Sequence, residues 1–383
     1  MNIGIDIRTL MDSQYSGVSE YTYNLVKEIL RLDKVNQYKL FYNSGRDVSG
    51  RIPKFISENV EVVSTHYPNK LYNYIMQKTF RYPKIDQLLG VDLFFMPHIG
   101  FASLSNKCKS ILTIHDLSFI RYQKFYSLRK NLWHKLVNTK KLLNQFDTII
   151  AVSENTKSDI IELGGVDNSK VKVIYSAVEG QFRKISKEEP DFNNLDVIRA
   201  KYDLPWDFIL FLGTIEPRKN IIGLIKAFSI LKVNNSNLKS LKLVIAGGQG
   251  WKSKSIFKEW EKSKYKADIK FLGYVDREDK VYLYNLAKIF IYPSFYEGFG
   301  FPPLEAMSSG TPVVSSNISS LPEIMGGAAL LVDPYNVNRL AKSIEKVLLD
   351  DGIRKKLIAK GFDWARQFSW QQTAQNYLAL WHK

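Results

Sequence analysis

The chain has 383 residues, 45% of them hydrophobic and 13% aromatic, which suits two domains that each bury a core. A formal net charge of +16 and a single cysteine, Cys108, exclude an internal disulfide and a cysteine-built zinc site and fit a reducing cytosol. No repeat period, no biased tract and no apolar run near the roughly 18 residues of a membrane span is present.

In chain order, Met1 to Leu10 reads as a first strand rather than a leader, because Asp6 and Arg8 interrupt its apolar alternation. Strands are predicted at Ile3–Ile7, Tyr38–Tyr42, Val60–Val63, Leu93–Met96, Ser110–Ile114, Thr148–Val152 and Val171–Ile174. Helices are expected at Glu20–Leu32, Leu128–Leu143 and Glu154–Leu163 from apolar spacing. A second series comes after them, with strands at Phe208–Leu212, Leu241–Ala246, Ile269–Phe271, Ile289–Tyr292 and Thr311–Val314. Its helices lie near Asn220–Leu231, Lys252–Lys266, Arg277–Leu286 and Pro302–Ser309. Alternation of strand and helix, twice over, implies two Rossmann-like doubly wound α/β domains. The polar stretch Lys184–Asn194 reads as the linker between domains 1–186 and 187–367. The aromatic amphipathic segment Phe368–Lys383 is expected to return to the first domain.

The positive charge is uneven. From Lys70 to Lys141 thirteen Lys and Arg face three Asp, with Tyr72, Tyr74, Phe80, Tyr82, Tyr122, Phe125, Tyr126 and Trp133 among them. Such a basic, aromatic segment suits phosphate-bearing partners, an anionic membrane surface first. An ordinary solvated face explains it equally well.

Doubly wound domains place ligands beyond the carboxyl ends of their strands, so motifs there carry the chemistry. After Tyr292 comes a loop with Glu297, Gly298, Phe299, Gly300 and Phe301, leading into a helix that bears Glu305. Glycines let backbone amides approach a ligand, and carboxylates accept from sugar or ribose hydroxyls. After Leu212 come Gly213 and Thr214, then Arg218 and Lys219 at a helix entry, two adjacent cations able to neutralise a diphosphate. After the strand Ser110–Ile114 stand His115, a hydrogen-bond donor or proton carrier, and Asp116, which either orients it or caps the next segment. Gly17, after the first strand, opens the first helix with Ser19 as a candidate cap. It carries little weight alone, since the full G-x-G-x-x-G fingerprint is missing.

The five histidines show no metal-ligand spacing. Asp-x-Asp, G-x-S-x-G and the P-loop are missing too, so metal-dependent phosphate handling, serine hydrolysis and nucleotide hydrolysis lose their usual signal.

On these residues the chain resembles glycosyltransferase family 4 of the GT-B class, over nearly its whole length and most densely from Phe208 to Pro334. The Glu-x7-Glu signature stands as Glu297 and Glu305, and the element 213–220 reads Gly-Thr-Ile-Glu-Pro-Arg-Lys-Asn. The resemblance implies a retaining, metal-independent enzyme using a nucleotide-diphosphate sugar. Glu297 and the amides around Phe299, Gly300 and Phe301 would face the donor sugar, Glu305 the ribose, Arg218 and Lys219 the diphosphate, and His115 the cleft near the sugar. Where the family usually has paired glycines in its first loop, this chain has Ser16-Gly17. The resemblance implies no cofactor beyond the donor, with GDP-mannose ahead of a UDP-sugar. The acceptor is expected to be a glycan or lipid-linked glycan, and with the single cysteine and the basic segment 70–141 the protein is expected to be cytoplasmic and peripheral to the membrane face. A sugar-nucleotide epimerase or phosphorylase is the nearest alternative; a basic nucleic-acid-binding protein is the distant one, with no recognised motif to support it.

Overall fold

The computed structural model describes residues 1–381 and divides into two compact units. The first comprises residues 1–121, 129–177 and 369 onward. The second comprises 122–128 and 178–368.

The first unit holds seven parallel strands: β1 Asn2–Asp6, β2 Gln37–Asn43, β3 Val60–Thr65, β4 Leu93–Met96, β5 Lys109–Ile114, β6 Thr148–Ala151 and β7 Val171–Val173, in the order 3-2-1-4-5-6-7. Central β4, Leu-Phe-Phe-Met, is buried throughout, as a strand covered on both faces must be. The strand order reverses between β1 and β4, paired through Ile3 and Leu93, and marks where a crevice opens above the sheet.

Helix Gly17–Leu32 starts where Ser16 Oγ accepts from Ser19 N at 3.3 Å. The cap is therefore Ser16, not Ser19, whose own hydroxyl donates to Thr9 O. Helix Glu154–Gly164 has Ser153 at its start and left-handed Gly165 at its end. Segment 128–143 is two helices rather than one, Leu128–Val137 and Thr139–Gln145. They part at Asn138, held at φ 54°, whose side chain caps the second by accepting from Lys141 N.

The last helix, Trp370–Trp381, lies in the first unit; of segment 368–383, residues 382 and 383 (His382 among them) fall outside the described range. Tyr377 Oη is 2.6 Å from Tyr21 Oη and 2.7 Å from Thr113 Oγ1, a buried hydroxyl chain, while Trp381 packs on Tyr38 and Phe95. Burying residues of this size contributes about 2–3 kcal/mol each.

The second unit holds six parallel strands: β8 Phe208–Leu212, β9 Lys242–Ala246, β10 Ile269–Gly273, β11 Ile289–Tyr292, β12 Val313–Ser316 and β13 Leu330–Val332, in the order 10-9-8-11-12-13. Its switch point lies between β8 and β11. The predicted linker Lys184–Asn194 is part of this unit instead. Ile185 is buried, its amide donates to Asn285 Oδ1 at 2.9 Å, and Arg183 pairs with Glu189 and Asp191. The units divide at 177/178.

Segment 122–128 also packs within the second unit. Tyr122 lies against Tyr296, Phe125 stacks on Phe295, Tyr126 stacks on Trp251, and Trp251 Nε1 donates to Phe125 O at 2.7 Å. The basic stretch 70–141 is therefore not one surface. Tyr72 and Tyr126 are buried, and Arg121 is paired with Asp159 and Glu162. Among the described residues, no helix is long and apolar enough to cross a membrane.

Candidate active site

The two charged motifs of the second unit come after neighbouring strands at its switch point. β8 leads through half-buried Gly213 and exposed Thr214 to the turn Pro217–Lys219. Asn220, left-handed at φ 55°, redirects the chain into helix Ile221–Asn234. β11 leads to Gly300, which caps helix Phe301–Ser308 at φ 110°. A side chain there would strain the backbone and bring its Cβ to 3.0 Å from Leu321.

The loops are tied to each other and to the segment after β12. Phe295 N donates to Arg218 O at 2.9 Å. Ser320 Oγ lies 3.0 Å from the carbonyl oxygens of both Glu297 and Phe299, and Ser319 Oγ accepts from Glu297 N at 3.1 Å.

A cluster of four charges results, three of them buried and Arg218 nearly so. Arg218 Nη1 donates to Glu297 Oε2 at 2.8 Å and to Tyr296 O at 2.7 Å. Its Nε and Nη2 both donate to Glu216 Oε1, at 3.0 and 2.7 Å. Lys219 Nζ donates to Glu297 Oε1 at 2.7 Å and to Tyr292 Oη at 2.6 Å. Two cations and two carboxylates cancel, as groups this far from water must.

Burial alone would push the Glu297 carboxyl up; Arg218, then Lys219, outweigh it and hold the group at about 2. Glu297 is thus ionised at neutral pH, able to accept hydrogen bonds but with no proton to give. Burial pulls the Lys219 ammonium below its usual value, against the opposing pull of Glu297.

Glu305 is the fifth residue of its helix, beyond the first turn where a carboxylate serves the helix dipole. It is buried, and its Oε2 accepts from Tyr284 Oη at 2.7 Å. Phe299 packs against Phe301 and Phe368, so what the 298–301 turn offers a ligand is backbone rather than the Phe299 ring.

The other candidates lie in the first unit. His115 Nε2 is 2.8 Å from Pro97 O. A carbonyl can only accept, so that nitrogen carries the proton. Burial depresses the ring's basicity and leaves the imidazole neutral. Its donor is spent on the main chain, and Nδ1 is an acceptor. Asp116 does not orient it: Oδ1 accepts from Ser118 N at 2.9 Å and from Ser118 Oγ, capping the short helix Ser118–Arg121. Gly17 is exposed at the first position of its helix.

Sequence reasoning passed over Glu216, Tyr292 and Tyr284. Glu216 stands two residues before Arg218 in an extended stretch, a signal that was present. The tyrosines read simply as apolar positions of a strand and a helix. Among the described residues, no group of three His, Cys, Asp or Glu could hold a metal ion.

Residues 198–364 match the family model described as Glycosyl transferases group 1, and residues 15–181 match Glycosyltransferase Family 4. The chain is 31% identical to O-antigen chain mannosyltransferase B of Escherichia coli, over 95% of this chain and 96% of that protein. It is 32% identical to the serotype-specific mannosyltransferase WbdA of Escherichia coli over 70% of this chain and 32% of that longer one. In fold it is similar to sucrose-phosphate synthase of Thermosynechococcus elongatus, with a TM-score of 0.76 at 18% identity over 100% and 98% of the two chains. Anabaena HepE in complex with UDP-glucose is similar at TM-score 0.71 and 18% identity, covering 99% of each.

Proposed function

Because this chain belongs to the glycosyltransferases of group 1 and family 4, we propose that it moves a hexose, mannose first, from a nucleotide-diphosphate sugar to a glycan or lipid-linked glycan, with retention and without a metal. GDP-mannose stands ahead of a UDP-sugar as donor, since a mannosyltransferase is among the relatives matched over nearly their full length. The observation that carries the reading is the Arg218–Lys219 pair, preset beside Glu297 beyond β8 and β11.

Breaking the anomeric C–O bond leaves an oxocarbenium-like sugar and a diphosphate that gains negative charge. Arg218 and Lys219 would stabilise that gain, already ordered and out of bulk water. A diphosphate arriving there competes with Glu297 for the same N–H donors. Release of the Glu297 carboxylate toward the sugar hydroxyls would then accompany donor binding. Glu297, ionised and engaged at both oxygens, suits positioning better than protonation or covalent attack. Glu305, steadied by Tyr284, is the candidate for the ribose.

In the first unit, helix Leu71–Phe80 is wound with i→i+5 hydrogen bonds, and Leu71, Ile75 and Phe80, four and five residues apart, are exposed beside Lys70, Lys78 and Arg81. An apolar stripe flanked by cations favours an anionic bilayer surface, and so a protein peripheral to the cytoplasmic membrane face.

Calorimetry with nucleoside diphosphates and their sugars, with and without EDTA, tests the donor reading. One sugar nucleotide should bind tightly, insensitive to EDTA, and Arg218→Ala should weaken it about 100-fold or more. If no nucleotide binds, the reading fails.

A further inference from the structure

Strand β11 reads Ile289-Phe290-Ile291-Tyr292 and is buried throughout. Tyr292 alone among these residues carries a polar group, and a hydroxyl so far from water needs a partner to offset its burial. Its ring is held on both sides, stacked on Phe211 and Phe290 at interplanar angles of 17° and 22°. The main chain is held as well, since Tyr292 pairs with Ser315 of β12 and its carbonyl oxygen accepts from Ser315 Oγ at 3.1 Å. Oη is therefore a stationary acceptor at the carboxyl end of the sheet, and Lys219 Nζ donates to it at 2.6 Å.

The other anchor of that ammonium is different in kind. Glu297 Oε1 accepts from Nζ at 2.7 Å, but Glu297 stands on the loop after β11 and is the group that a diphosphate would displace. An ammonium has three N–H donors, and among the described residues Lys219 spends two of them, on Tyr292 and Glu297. Once Glu297 leaves, Tyr292 is the one of these partners that still aims the remaining donors at a ligand. Lysine depends on such an anchor more than arginine does, because its ammonium rides on a flexible four-carbon stem. The phenol keeps its proton throughout: burial, then the charge of Glu297, pushes it well above its usual value.

We propose that Tyr292 is a positioning residue of the donor site, holding the Lys219 ammonium in place while Glu297 is exchanged for the donor's diphosphate. The inference rests on the donor reading for the diphosphate, but not for the anchoring of Lys219.

The consequence for pH follows from the groups that face Lys219: Glu297 from the loop, Arg218 and Glu216 from its own turn, and Tyr292 from β11. Burial already depresses the ammonium. Deleting the Tyr292 hydroxyl removes a hydrogen bond that favours the charged form, which depresses it further. A variant without that hydroxyl should lose the ammonium at a lower pH than the parent.

The test is Tyr292→Phe, which removes one oxygen and keeps the ring between Phe211 and Phe290. Calorimetry with GDP-mannose and UDP-glucose, at pH 7 and pH 9, reads the ligand side. NMR of isotope-labelled lysine ammonium groups reads the anchor, with Lys219→Arg assigning the Lys219 signal. Whichever sugar nucleotide binds the parent should bind the variant about tenfold more weakly at pH 7, and the gap should widen toward pH 9. The Lys219 signal should survive donor binding in the parent and be lost on donor binding in the variant. Equal affinities, a gap that stays constant with pH, or a Lys219 signal indifferent to the substitution overturns the proposal. If neither sugar nucleotide binds the parent, the donor reading falls instead, and the pH at which the two free proteins lose the signal still decides whether Tyr292 anchors Lys219.

Discussion

Replacing Glu297 by Gln keeps its shape and removes its charge. Its carboxyl lies at about 2 in the folded chain against an ordinary 4.5, a difference worth roughly 3 kcal/mol of folding free energy. Because the folded value is depressed, that contribution is complete above 4.5 and disappears as pH falls toward 2. The second unit of Glu297→Gln should therefore be about 3 kcal/mol less stable at pH 7, a fall of roughly 6–12 °C in its melting transition. At pH 3.5 the gap should be about 1 kcal/mol smaller. Paired thermal melts of both proteins across that range read the effect. A gap under about 1 kcal/mol at pH 7, or one that does not narrow in acid, would refute the claim that Arg218 and Lys219 hold an ionised Glu297.

Two further outcomes rest on the same geometry. Tyr284→Phe removes the 2.7 Å bond to Glu305, worth about 1.5–3 kcal/mol as a bond to a charged group; donor KM should rise several-fold or more with kcat little changed, measured by initial rates. Ile75→Asp with Phe80→Asp should abolish cosedimentation with phosphatidylglycerol vesicles at low salt and leave nucleotide binding alone. Equal sedimentation of variant and parent, or no salt dependence in the parent, would remove the membrane proposal.

The buried strands were legible in the sequence because parallel strands covered on both faces must be continuous apolar runs, as Phe208–Leu212 is. β13 escaped because it has three residues, two of them half-buried. Residues 315–367 held no recognised element, yet contain helices Val337–Leu349 and Asp351–Ala365, with Asp350 ending one and capping the next. The break at Asn138 and the wide helix Leu71–Phe80 have no periodicity signal. In the candidate site, residue types placed after strands singled out Arg218, Lys219 and Glu297, which the structure brings together, and Glu305, which it holds on Tyr284. Their partners Tyr292 and Tyr284 did not stand out, because a phenol at an apolar position looks like core until its hydroxyl is located.

Charge shows the same limit. Counted along the chain, Arg218 and Lys219 are two free cations and segment 70–141 is one basic field. In space both counts change. Glu216 and Glu297 neutralise the pair completely, and residues 122–128 leave the basic field for the second unit. A neutral resting cluster has a functional consequence that a bare cationic one lacks. On the proposed donor reading, a free diphosphate would have to displace Glu297 from Arg218 and Lys219 before gaining their full attraction, whereas a sugar nucleotide would also supply hydroxyls for the displaced carboxylate. The cluster should therefore favour the intact donor over the bare nucleotide, and substituting Glu297 by Gln should narrow that preference from both sides.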